Sequence, residues 1–161
     1  TEEVFAKKDV LVGSSGDDVL NGFKGNDELR GKAGVDTLHG DGGKDRLDGG
    51  DGTDTLDGGK GKDTFVFKSD PSTGVDTILS FEKGEKIELG HKIFAGLTEG
   101  ALGAEHFALG SATTADHRVL YNPGNGNLSY DSDGNGAAAA VVIAVLPTNL
   151  THLDASSIFV I

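Results

Sequence analysis

An aspartate recurs every nine residues, at Asp18, Asp27, Asp36, Asp45, Asp54 and Asp63. Each stands two residues after one glycine and five after another. A carboxylate set in turned, glycine-rich backbone offers hard oxygen donors of two kinds, side-chain and carbonyl. Six to eight such oxygens are what Ca²⁺ takes. Zinc would need His or Cys, and the period supplies neither systematically. There is no Cys, so neither a thiolate site nor a disulfide staple is available.

The copies run without slippage from residue 13 to residue 66: GSSGDDVLN, GFKGNDELR, GKAGVDTLH, GDGGKDRLD, GGDGTDTLD and GGKGKDTFV. Positions one and four are always Gly, and both are expected at φ > 0, where a Cβ would clash. Position eight is always large and apolar: Leu20, Leu29, Leu38, Leu47, Leu56 and Phe65. The last three residues of each copy read out, in, out, as a short strand does. One inward residue per strand cannot bury a core, so successive strands must stack. That puts Leu20, Leu38 and Leu56 in one row and Leu29, Leu47 and Phe65 in the facing row. Two copies then make a turn, with odd loops on one edge and even loops on the other. A disordered Gly/Asp-rich linker would have no use for an apolar residue at every ninth position.

The bulk numbers agree. Glycine is 26 of 161 residues, about twice its usual share. Net charge is −12, which argues against nucleic acid and anionic membrane and suits divalent cations. Residues 1–13 lack the apolar core of a signal peptide. The longest apolar run, residues 137–146, falls short of the roughly 20 residues a membrane span needs. A soluble monomer without a membrane span is the expectation.

The four fixed positions resemble the RTX (repeats-in-toxin) family of calcium-binding nonapeptides. The resemblance implies an all-β chain: a parallel β-roll, that is, a flattened right-handed β-solenoid, with a C-terminal β-rich capping region. It also implies that each Ca²⁺ sits between loops of consecutive turns on one edge. The lower loop gives main-chain oxygens at positions two and four plus its Asp; the upper gives those at positions one and three plus its Asp. Carried over, the first site is Ser14, Gly16 and Asp18 with Gly31, Ala33 and Asp36. The second is Phe23, Gly25 and Asp27 with Gly40, Gly42 and Asp45. The third is Lys32, Gly34 and Asp36 with Gly49, Asp51 and Asp54. The fourth is Asp41, Gly43 and Asp45 with Gly58, Lys60 and Asp63. Positions two and four of the last loops, Gly50, Gly52, Gly59 and Gly61, join the candidate ligands. At position two Ser14, Phe23, Lys32 and Asp41 replace the family's Gly, at a cost in backbone strain.

Two degenerate copies flank the array. Asp9-Val10-Leu11-Val12 fits positions six to nine, and Gly74-Val75-Asp76-Thr77-Ile78 fits positions four to eight. Asp9 with loop two and Asp76 with loop five would each complete an end site; plain capping strands are the equal alternative. The count is four full sites and up to two partial ones, or about four to six Ca²⁺. Three segments follow: an N-terminal capping strand in 1–12, the roll in 13–66, and a cap with a secretion signal in 67–161.

In that last segment, strand-like alternation marks residues 64–90, a hairpin residues 118–131, a buried strand residues 137–146 and a final strand residues 158–161. The segment also resembles RTX exoprotein tails, through Phe81, Gly84, Lys86-Ile87 and Leu128-Ser129-Tyr130-Asp131 among others. This implies secretion from a Gram-negative bacterium by the type I apparatus, with residues 154–161 as the uncleaved signal. Residues 131–136 fit half of an EF-hand loop, but the twelfth position would be Val142, so a tight polar turn is preferred over a further calcium site.

Enzyme motifs are lacking. His39, His91, His106, His117 and His152 form no HExxH, there is no GxSxG, and Gly61-Lys62-Asp63 fails the P-loop pattern. His39, at an outward position, should simply be solvated. The expected role is therefore a non-enzymatic calcium-binding module of a larger secreted protein. Two alternatives stand beside it: a calcium-dependent adhesive or carbohydrate-binding module, and the non-catalytic end of a secreted hydrolase or polysaccharide-modifying enzyme.

Overall fold

Position eight builds the core. Leu29, Leu38, Leu47, Leu56 and Phe65 are all fully excluded from solvent in the computed structural model, which describes residues 6–161. Burying each such side chain stabilises by about 1.5–3 kcal/mol. Their strands are too short to hold one another by main-chain bonds alone.

In the first sheet, β1 (Val10–Val12), β3 (Glu28–Ala33), β6 (Arg46–Asp51) and β9 (Thr64–Phe67) lie side by side in parallel. The register matches Leu11 to Leu29, Leu29 to Leu47, and Leu47 to Phe65. The second sheet stacks β2 (Val19–Asn21), β4 (Thr37–His39) and β7 (Thr55–Asp57), matching Leu20 to Leu38 and Leu38 to Leu56. The two rows are those expected from the period, and the chain is a parallel β-solenoid. Two short loop strands, β5 (Gly42–Gly43) and β8 (Lys60–Gly61), pair along one edge.

The roll continues past its last full copy. Strand β10 (Asp76–Ile78) pairs with β7, and β11 (Lys86–Leu89) pairs with β9, so Ile78 and Ile87 extend the two rows. The step is now 22 residues, as between Asp54 and Asp76. A 3₁₀ turn, Pro71–Thr73, takes up the extra length, with Asp70 Oδ1 accepting from the Ser72 N–H. The short β12 (Gly100–Ala101) and β13 (Phe107–Leu109) follow. Strands β14 (Val119–Tyr121) and β15 (Asn127–Tyr130) form the expected hairpin, and β16 (Val141–Val145) joins it to β10. The last strand, β17 (Ile158–Val160), lies between β11 and β12.

Three expectations need correction. Only Val141–Val145 of residues 137–146 is a strand; Ala137, Ala138, Ala139 and Ala140 are exposed, and so is Val141 at 48%. A small-residue run ahead of the strand has too little apolar area to pull itself inward. His39 is not simply solvated: its Nδ1 lies 3.7 Å from Asp57 Oδ2 on the neighbouring strand. Nor is every outward position open. Asp48 is buried with Lys68 Nζ 2.5 Å from its carboxylate, and Val66 is buried too. Of the expected capping strand in 1–12, the structure has β1; residues 1–5 lie outside the described residues. Among the described residues, no helix is long and apolar enough to cross a membrane.

Candidate metal centres

Each repeat loop joins a strand of one sheet to a strand of the other, so loops of one parity stack on one edge. The stacking is tight. A Cβ built on Gly43 would lie 1.3 Å from the Gly25 carbonyl oxygen one turn below. Position four behaves as expected in five of the six copies, with Gly34 and Gly52 at φ 119° and 134°; Gly16, in the first copy, is the exception.

Position one does not. None of Gly13, Gly22, Gly31, Gly40, Gly49 or Gly58 has φ in the left-handed region that favours glycine. The glycine is required by crowding instead: a Cβ on Gly31 would lie 2.1 Å from Asp36 Oδ2 and 2.5 Å from the Gly49 carbonyl oxygen. Both oxygens therefore converge on one point beside the backbone. The same pairing holds at Gly13 for Asp18 and the Gly31 carbonyl, at Gly22 for Asp27 and the Gly40 carbonyl, and at Gly40 for Asp45 and the Gly58 carbonyl. Each lower-loop Asp is thus brought to the position-one carbonyl of the loop above it on the same edge.

Position two carries the anticipated strain. Phe23, Lys32 and Asp41 sit at φ 67°, 88° and 65°, a region that costs side-chain-bearing residues roughly 1–2 kcal/mol each. Ser14 does not share it.

The aspartates form two ladders, one per edge. Oδ1 of Asp36 accepts from the Asp18 N–H at 2.8 Å, and Asp54 does the same for Asp36. On the other edge Asp27 accepts from Asp9, Asp45 from Asp27 and Asp63 from Asp45. The second oxygen is left over. Oδ2 of Asp27, Asp36, Asp45, Asp54 and Asp63 is buried without a hydrogen-bond partner. Among the described residues, no Lys or Arg pairs with any of these five carboxylates. Burial raises Asp36, Asp54 and Asp63 above the usual carboxylate range and pushes Asp45 up to about 6. Asp18 differs: its Oδ2 accepts from the Ser14 N–H and hydroxyl, at 2.6 and 2.9 Å, which holds its carboxyl low.

A buried carboxylate oxygen with no partner is costly unless a cation meets it. Among the described residues, no three His, Cys, Asp or Glu side chains gather to hold a metal. A cation on these edges would therefore draw most of its oxygens from main-chain carbonyls. That donor set fits Ca²⁺ and not zinc. The histidines are scattered: His91 lies by Glu99, His106 by Glu105, and His152 Nε2 meets the Phe81 carbonyl.

At the ends, Asp9 joins the ladder through its N–H, and Asp76 Oδ1 accepts from the Asp54 N–H at 2.9 Å. Asp76 is buried, and that burial pushes it up to about 7. Residues 131–136 form a turn closed on itself, with the Asp133 N–H donating to Asp131 Oδ1 and the Ala138 N–H to Asp133 Oδ2. Glu85 escaped the sequence reading. It is buried at the place an Asp would hold one step after Asp63. The signal for it is its spacing, 22 residues after Asp63, the same step that separates Asp76 from Asp54.

The RTX calcium-binding nonapeptide repeat profile matches residues 6–38 and 30–65, in four copies. Residues 6–65 are RTX calcium-binding repeats. No curated protein is a significant match to the chain. Among solved structures, the chain is similar to the AlgE6R2 subunit of a mannuronan C5-epimerase from Azotobacter vinelandii. The two share 28% identity, with a TM-score of 0.61 over 92% of this chain and 90% of that one. It also shares its fold with the extracellular lipase LipA of Serratia marcescens, at 24% identity and TM-score 0.57. That match covers 93% of this chain but only 20% of the lipase. RTX repeats bind Ca²⁺, and the β-roll fold of the chain is that of the domains it is similar to.

Proposed function

We propose that this chain is a calcium-gated folding module at one end of a larger secreted protein, and that it has no catalytic role of its own. The observation that carries the proposal is the set of five buried Oδ2 atoms without partners. With Ca²⁺ between the loops, each finds its counter-charge, and metal-binding free energy becomes folding free energy. Without it the stacked carboxylates repel, and a core one side chain wide cannot offset chain entropy.

The four inter-turn sites carried over from the repeat are the proposed ligand sets, with Asp36 and Asp45 each shared by two ions. Asp76 with Gly50 and Gly52 of loop five adds an end site, and Asp9 with loop two adds another. The roles of the three segments, 1–12, 13–66 and 67–161, belong to the same proposal. Residues 154–161 would act as the type I secretion signal while the chain is still unfolded, since Ile158 and Val160 are buried once it folds. Where calcium is scarce the repeats stay open and exportable; outside the cell they close.

Far-UV circular dichroism with Ca²⁺ and then with chelator tests the switch. Strand signal should appear with calcium and collapse with chelator. Unchanged strand content after calcium removal would refute it.

A further inference from the structure

We infer that Glu85 closes a calcium position between the last repeat loop and the cap, so that one ion ties the two together. The inference rests on the calcium reading above. Loop six, residues 58–63, brings Gly59, Gly61 and Asp63, but the repeat array offers no later nonapeptide loop to face it. Its counterpart is residues 80–85. The connection from β10 to β11, residues 79–85, joins the same pair of sheets; with Ile78 opposite Leu56, Leu79 falls opposite Asp57 and residues 80–85 align with loop six. Lys86 pairs with Thr64, which sets Glu85 in register with Asp63.

The carboxylate behaves as a ligand without its ion. Glu85 is 1% exposed. Its Oε2 accepts from the Glu82 N–H at 2.7 Å, while Oε1 is buried with no partner. Asp63 Oδ2 is in the same condition. Nearby charge makes this worse: Asp63, Glu82 and Asp57 all act on Glu85 in the sense that disfavours its ionisation. Among the described residues, no Lys or Arg pairs with it, although the Lys62 side chain runs past Gly84. Asp63 and Glu85 thus bring two neighbouring orphaned carboxylate oxygens to the edge that carries the loop-six carbonyls, although Glu85 gives its other oxygen to the Glu82 N–H and not to the aspartate ladder. A groove of about 620 Å³, lined by Lys83, Lys86, Thr151 and Asp154, borders Glu85 on its outer side.

Asp would stand here if the nonapeptide continued. Phe81, at position two of this loop, instead turns inward at 4% exposure and lies tilted against Phe65, with ring centroids 6.1 Å apart. The loop thus serves the cap core and the edge at once, and the longer Glu reaches where an Asp would not.

Native mass spectrometry at rising Ca²⁺ counts the ions on the full chain. Glu85→Gln should hold one ion fewer than the wild type while keeping its strand signal in calcium. Glu85→Asp should regain that ion only at higher calcium, and it decides the matter if Glu85→Gln does not fold. Equal ion counts in the wild type and Glu85→Gln, or an unchanged calcium dependence in Glu85→Asp, would overturn the inference; Lys62 would then be the neutralising group. A wild type that binds no calcium would instead defeat the wider reading.

Discussion

The Asp18 N–H donates to Oδ1 of Asp36 at 2.8 Å, and Oδ2 of Asp36 is buried with no partner. One carboxylate therefore braces the turn below it and faces the turn above. Asp36→Ala should lose more bound calcium than Asp18→Ala, whose Oδ2 is already occupied by Ser14. It should also cost about 1–3 kcal/mol more in stability, since it leaves the Asp18 N–H unpaired. Isothermal titration calorimetry reads the stoichiometry. Equal losses would argue against a shared ligand.

Leu47 sits between Leu29 and Phe65 and is fully buried, whereas Leu20 near the first turn is only partly buried. Leu47→Ala should cost about 2–5 kcal/mol, and Leu20→Ala distinctly less. Thermal unfolding in saturating calcium separates the two. Similar costs would mean that the roll has no gradient of burial toward its first turn.

Lys32 has φ 88° at a proposed ligand position. Lys32→Gly should relieve about 1–2 kcal/mol of strain, less the added entropy of the unfolded chain, and tighten calcium binding slightly. Gly43→Ala should do the reverse and abolish closure of the even edge, since its Cβ would meet the Gly25 carbonyl. Calcium titrations followed by circular dichroism give both midpoints.

Burial pushes Asp45 up to about 6 and Asp76 and Glu85 up to about 7, above their unfolded values of roughly 4. With folded values raised, the metal-free fold binds more protons than the unfolded chain. Its stability is then greatest below about pH 4 and falls as pH rises through 6 to 7. In chelator, strand content should be higher at pH 5 than at pH 8. With calcium the trend reverses, because protons compete for the same oxygens. A metal-free chain indifferent to pH would contradict this.

Much of this was legible because the period is simple. One apolar side chain every nine residues fixes which strands stack, and the rows through Leu38 and Leu47 follow from it alone. The reason for glycine at position one was not legible. It lies in the approach of Asp36 Oδ2 and the Gly49 carbonyl to Gly31, a distance between separate turns. Glu85 was hidden because its loop lacks the glycine frame, and the β9–β11 register reveals its place. The strand at residues 141–145 was overextended because a run of alanines reads as apolar while burying little. The position of β17 inside the first sheet depends on pairing between residues some 70 apart, which no local pattern encodes.

Strand β17 is made of residues 158–160, yet it lies between β11 and β12 and not at a margin of the sheet. A chain leaving the ribosome N-terminus first cannot finish that sheet until residues 158–160 have emerged. The open side of β11 stays unpaired until then, however many repeats have already been made. Completion of the sheet thus waits on a segment some 70 residues beyond β11, and a chain lacking that segment would carry an unfilled gap.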